Sequence, residues 1–256
     1  MLQREERDGV VTLTLDRPES YNAIDPALRD ALLASFASAE EAGARCIVLR
    51  GAGRGFCAGI DLKAGAGDRR GSEVMDYMRT STQAIVRAVL TCPVPLVAAV
   101  HGVCAGVALV LALGADHCIA AEDARLSAPF VKRALVPDGA TTYLLPRLVG
   151  AARARRMLLF GEDVGAGEAL EWGMISEVVP ADDLRAAAAA RAVELASLPT
   201  AALRYTKGML LRSFELDLES TLFEERAGQA LMSTTADFEE GRASFLERRP
   251  PRFAGR

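Results

Sequence analysis

Several chemistries are excluded by what this 256-residue chain lacks. It has only two histidines, His101 and His117, and no acid or nucleophile adjoins His101 in sequence. No G-x-S-x-G elbow occurs, which argues against a serine hydrolase. The glycine-rich run Gly51-Ala52-Gly53-Arg54-Gly55-Phe56 fails the dinucleotide fingerprint, because Phe56 stands where the third glycine belongs, and no GK[ST] follows. Neither a CxxC pair nor a His/Cys spacing suggests zinc. The five cysteines (Cys46, Cys57, Cys92, Cys104 and Cys118) lie mostly in apolar runs and read as buried, reduced thiols of a cytoplasmic protein. MLQREERDG carries charge and no apolar core, so no signal peptide is expected. VALVLALGA is far shorter than the about 20 apolar residues of a membrane helix. The formal net charge of −4 gives no reason to expect nucleic acid.

What is present is an alternation of strands and helices, the mark of an α/β domain. Residues 10–16 (VVTLTLD) alternate as a half-buried strand. Asp25-Pro26 caps and starts a helix to about Ala42, stopped by Gly43. A buried strand, CIVLR, leads into the glycine loop, and residues 64–71 form a polar break. One long helix is expected over 72–90, a strand over 96–100, and a buried helix from Val107 to Leu113. A strand follows over 117–121, then a helix over 144–159 that Pro146 and Gly150 divide. A helical turn, a strand over 175–179 and four further helices complete the chain. CIVLRGAGRGFCAG and PLVAAVHGVCAGVA echo each other weakly, as two strand–glycine-loop units.

In this order, LDRPESYNAID (15–25), VLRGAGRGFCAGIDLK (48–63), AAVHGVCAGVALVLALGADHCIA (98–120), PFVKRALVPDGATTYLLPRLVG (129–150), WGMISEVVP (172–180) and EGRASFLERR (240–249) resemble the crotonase superfamily of enoyl-CoA hydratases and isomerases over nearly the full length. The resemblance implies a spiral of ββα units over residues 1–195. It also implies a C-terminal helical trimerisation region over 196–256, and a homotrimer or dimer of trimers. It implies an acyl-CoA thioester substrate, with coenzyme A as part of the substrate and no separate cofactor. The family's shared device is an oxyanion hole of two backbone N–H groups, here Ile60 and Val107. Val107, at the start of a buried helix, has no intrahelical partner for its N–H and sits at the positive end of the helix dipole. Val107 and Ala108 stand where relatives have smaller residues, so a narrower pocket is expected.

Relatives that add water carry two glutamates. The matching positions are Val110 and Phe130, neither of which carries a proton. Asp138 matches the acid of double-bond isomerases. Its apolar neighbours Phe130, Leu135 and Val136 are expected to raise its pKa by desolvation. The alternative is that Asp138, before Gly139 and Thr141-Thr142, caps a helix. For coenzyme A, the resemblance points to backbone at Asn22, Ala23, Ala58 and Asp61. Arg17 and Lys63 are candidates for the phosphates, and Phe245, Arg248 and Arg249 come from the same or a neighbouring subunit. Met75, Tyr77 and Met78 form an apolar stripe, read as core or as acyl-pocket lining. His101 is expected to be structural.

The function expected is a Δ3-Δ2 enoyl-CoA isomerase using one aspartate. The alternatives are other enolate chemistry of the family (hydration, thioester hydrolysis, ring isomerisation) and a weakly active acyl-CoA-binding or assembly subunit.

Overall fold

Residues 1–65 and 69–255 are described by a computed structural model. Its main sheet has six strands in the order β1-β2-β3-β4-β6-β9. These are β1 (Leu2–Arg7), β2 (Val10–Leu15), β3 (Cys46–Gly51), β4 (Leu96–Val100), β6 (His117–Ala121) and β9 (Glu177–Val179). β1 and β2 form an antiparallel hairpin, and every other neighbouring pair is parallel. A three-stranded sheet of β5 (Val103–Ala105), β7 (Arg125–Ser127) and β8 (Asp163–Gly165) stands apart from it.

Both faces of the main sheet are covered, so its central strands read as unbroken apolar runs. Side chains alternate across β3: Ile47 and Leu49 face one core, Cys46 and Val48 the other. The first core takes Leu28, Leu32 and Phe36 from α1 (Pro26–Ala37), Ile85 and Val89 from α4 (Thr82–Leu90), and all of α5 (Ala108–Leu113). The second is smaller. Helix α8 (Leu184–Ala196) lays Leu184, Ala188, Ala192 and Ala196 on it, a stripe four residues apart whose small side chains allow close approach. The remaining helices are α2 (Leu62–Gly65), α3 (Ser72–Thr80), α6 (Thr141–Phe160), α7 (Ala166–Glu171), and the C-terminal α9 (Thr200–Arg212), α10 (Leu218–Met232) and α11 (Ala236–Glu247). Among the described residues no helix is long and apolar enough to cross a membrane.

The expected elements differ from the observed ones in a few places. β1, with five of its six residues exposed, has no apolar alternation to signal it. The three-residue strands β5, β7 and β8 are too short to pattern. α1 ends at Ala37 rather than Ala42. The helix expected over 72–90 is two helices broken at Ser81 (φ −109°, ψ −94°), and α3 has no buried residue. The Met75, Tyr77 and Met78 stripe is therefore not core: Met75 is exposed and the other two are half-buried. α6 is kinked at Gly150 and begins at Thr141, three residues earlier than its apolar pattern. The polar break at 64–71 lies partly outside the described residues, at 66–68.

Candidate active site

Asn22 does the first work of building the site. Its side chain is fully buried, and Nδ2 donates to the carbonyls of Ala52 (2.8 Å), Gly55 (2.8 Å) and Phe56 (3.2 Å). Oδ1 accepts the N–H of Arg17 at 2.8 Å. The asparagine thus clamps the glycine loop onto the turn after β2. The Asn22 backbone, expected near coenzyme A, does not line the cavity described below, and its N–H donates to the Arg17 carbonyl at 2.9 Å.

The loop then passes Gly59 (φ +94°), where a Cβ would lie 2.7 Å from the Ala105 carbonyl oxygen. Any side chain there would force the loops that carry Ile60 and Val107 apart. Next, Ile24 and Ile60 form a single parallel bridge. Ile24 N–H donates to Gly59 O (2.7 Å), and Ile24 O accepts from Asp61 N–H (3.0 Å). In a parallel pairing the residue between those two groups turns its own N–H the other way. The Ile60 N–H has no hydrogen-bond partner among the described residues.

Val107 arrives from the second glycine loop. Cys57 and Cys104 form a parallel bridge, Ala105 N–H donates to Cys57 O, and Gly106 N–H donates to Ser127 O. Val107 is the N-cap residue of α5, with no partner for its N–H among the described residues. Its side chain is buried.

Ile60, Val107 and Asp138 line one cavity, together with Ala23, Ala58, Asp61 and Lys63. Phe130 and Leu135 add apolar wall, and Glu19, Tyr21 and Arg133 also line it. Sequence reasoning did not single out those last three, because they carry no motif and reach the cavity only through folding. Val110 is completely buried and Phe130 nearly so. The two positions that the resemblance matches to the acids of water-adding relatives are thus hydrocarbon.

Among the described residues three carboxylates line the cavity, in three different environments. Glu19 is exposed. The Asp61 carboxyl is held below its usual range: it accepts the N–H groups of Ala64 (3.2 Å) and Lys63 (3.0 Å) and pairs with Arg17 (3.1 Å). Asp138 is half-buried, and burial pushes its pKa up to about 6. Its carboxylate has no hydrogen bond or ion pair among the described residues. The environments thus push the Asp61 and Asp138 carboxyls in opposite directions. The cap alternative is not what the structure holds. Gly139 (φ +62°) and Ala140 (φ +57°) are both left-handed, so the N-cap of α6 is Ala140, with no side-chain cap bond. Asp138 contributes its carbonyl instead, which accepts the Thr141 N–H (3.1 Å) and hydroxyl (2.7 Å).

The other expected binding residues divide. Lys63 is exposed at the cavity, with no ion pair among the described residues. The Ala58 N–H is taken by Tyr21 O and Ala23 O by the Arg17 guanidinium, so their main chains are already bonded. Arg17 is paired with Asp25 and Asp61 and does not line the cavity. Phe245, Arg248 and Arg249 do not line it within one chain either. Phe245 is exposed, Arg248 ends α11 in a left-handed conformation, and Arg249 is bound to Glu240 and Glu247. His101 bonds through Nε2 to the Gly53 carbonyl at 3.0 Å, a structural tie. All five cysteines are buried and unpaired, and burial pushes the Cys57 thiol up to about 12.

With this geometry in place, comparison with known proteins is informative. A family described as enoyl-CoA hydratase/isomerase matches residues 5–256. The chain is 41% identical over 255 residues to a probable enoyl-CoA hydratase of Rhodobacter capsulatus, across 100% of this chain and 98% of that protein. It is 39% identical over 251 residues to the 1,2-epoxyphenylacetyl-CoA isomerase of Escherichia coli, across 97% and 96% respectively. The crystal structure of an enoyl-CoA hydratase from Bacillus anthracis superposes with a TM-score of 0.92 at 32% identity, covering 100% of this chain and 99% of that one.

Proposed function

Because the chain belongs to the enoyl-CoA hydratase/isomerase family, with the crotonase fold, we propose that it is an acyl-CoA isomerase acting through Asp138. The substrate is a 3-enoyl-CoA. Its thioester oxygen accepts the N–H groups of Ile60 and Val107. The Asp138 carboxylate removes a proton from C2, and the electron pair of that C–H bond passes into a dienolate whose charge rests on the oxygen. The same carboxyl returns the proton at C4, and the double bond moves from C3–C4 to C2–C3. No water enters the balance, so one acid/base group suffices. Donors aimed at a developing oxyanion are each worth about 2.7–4 kcal/mol of barrier in other enzymes.

One observation carries the reading: among the described residues the only cavity carboxyl with a raised pKa is Asp138, while Val110 and Phe130 put hydrocarbon where hydration requires acids. The test offers the protein a 3-enoyl-CoA and, separately, a 2-enoyl-CoA. Formation of the conjugated thioester from the first, without hydration of the second, is expected. Hydration of the second at a comparable rate would overturn it.

A second reading has its own support. The 39% identical Escherichia coli relative is a 1,2-epoxyphenylacetyl-CoA isomerase. Ring isomerisation of such an epoxide also needs enolate stabilisation and no added water. Turnover of the epoxide thioester with none of the 3-enoyl-CoA favours it.

For assembly we propose a homotrimer built on α9–α11. Phe214, Phe223, Phe238, Phe245, Leu210 and Leu246 are exposed there, more apolar surface than an isolated helical face leaves in water. Sedimentation at a trimer or hexamer mass is expected, and a monomer would contradict it.

A further inference from the structure

Arg17 follows β2 and is one of the two cations expected to meet phosphate. The structure spends it otherwise. Nη1 donates to Ala23 O and to Asp61 Oδ2 (3.1 Å), and Nε lies 3.4 Å from Asp25 Oδ2. Ala23 and Asp25 flank Ile24, and Asp61 follows Ile60. The guanidinium therefore brackets the Ile24–Ile60 pair from both sides. That pair is an isolated bridge, with no further ladder rung beside it. Its two hydrogen bonds are what turn the Ile60 N–H outward, and the Arg17 fork is the side-chain tie that closes around them. Arg17 is itself fixed, since its N–H donates to Asn22 Oδ1 and its carbonyl accepts from Asn22 N–H (2.9 Å). Its side chain is only 20% exposed, and that of Asp61 14%. One cation facing two carboxylates leaves a net negative cluster, which repels a phosphate rather than attracting it.

We propose that Arg17 is a positioning residue for the Ile60 N–H and does not serve as a phosphate ligand of coenzyme A. The proposal rests on the reading of Ile60 as an oxyanion donor. A planar guanidinium is required, because three acceptors at fixed directions are held by one fork, which a lysine ammonium cannot reproduce.

The test compares two thioesters of the same 3-enoyl acid, one on coenzyme A and one on pantetheine, which has neither adenosine nor phosphate. For Arg17→Met, and equally for Arg17→Lys, kcat falls by about 10- to 100-fold on both thioesters by the same factor, with KM little changed, as loss of donor placement demands. A loss confined to the coenzyme A ester and appearing in KM overturns the proposal, as does unchanged kcat on both. Thermal unfolding checks the fold of each variant. If Arg17→Met does not fold, Asp61→Asn carries the comparison. It keeps Oδ1 for the Lys63 and Ala64 N–H groups while removing the Arg17 pair, and the same equal loss is expected. The wild type is assayed first on both thioesters. Failure of the isomerase reading shows there, and failure of the Arg17 assignment shows only in the variants.

Discussion

Gly139 rests on Val107. A Cβ at Gly139 would lie 3.2 Å from the Val107 Cα and 3.4 Å from its Cγ2. The turn that carries Asp138 is thus seated directly on Val107, which lines the same cavity. The proposed proton carrier and the proposed oxyanion donor therefore share one packing contact. The valine, bulkier than expected at this place, is half of that contact.

This seat leads to the first prediction. Gly139 has φ +62°, so an alanine suffers both backbone strain and the approach to Val107. Gly139→Ala is expected to lose about 1–3 kcal/mol of stability and at least tenfold in kcat. Denaturant unfolding and steady-state isomerisation rates check it. Unchanged kcat would show that the turn tolerates displacement.

A second prediction concerns pH. Asp138 must be ionised to take the C2 proton, and its pKa is about 6. kcat/KM should therefore be flat above about pH 7 and fall about tenfold per unit below pH 6. A profile with its acid limb near pH 4 would mean that Asp138 is hydrated like a surface carboxylate.

The same shift has the opposite sign for stability. The folded-state pKa is raised from 3.8 to about 6, so between these values the folded chain binds the proton more tightly than the unfolded chain does. This group's contribution is therefore lost as pH rises through 6, leaving a cost of about 3 kcal/mol at pH 8. Asp138→Asn should be more stable than the wild type at pH 8, and the difference should shrink to little by pH 4. Melting temperatures at the two pH values measure it. Equal stability at both would contradict the desolvation account.

Asn22 supplies the fourth prediction. Asn22→Ala leaves the Ala52, Gly55 and Phe56 carbonyls short of a donor and places alanine at φ +56°. A loss of about 3 kcal/mol or more is expected, at about 1 kcal/mol or more for each buried group affected. Hydrogen exchange should quicken at the glycine loop before the rest of the main sheet. Uniform quickening would place the effect in the whole core instead.

The candidate carboxyl was legible in the sequence for a local reason. Asp138, Val110 and Phe130 are read by position along the chain, and the apolar neighbours that raise the Asp138 pKa are themselves near it in sequence. What removed the side-chain cap was not local. Two successive left-handed residues, one of them the non-glycine Ala140, move the cap of α6 two residues beyond Asp138, and no pattern announces that. The fate of Arg17 was equally hidden, because its partners come from the start of α1 and from a loop some 44 positions away. A cation beside a ligand loop looks the same in sequence whether it faces phosphate or carboxylate. The long strands and helices were visible through periodicity. β1 was not, being an edge strand of mostly charged residues paired only to β2, and the Ser81 break has no glycine or proline to mark it.

The central claim is that one carboxyl moves the proton. Its most direct measurement is the isomerisation rate of a 3-enoyl-CoA by the wild type and by Asp138→Asn, with binding of the product thioester followed in parallel. The account predicts a fall in kcat of about 100-fold or more, consistent with loss of a general acid/base, while the product still binds. Equal rates in the two proteins would contradict it.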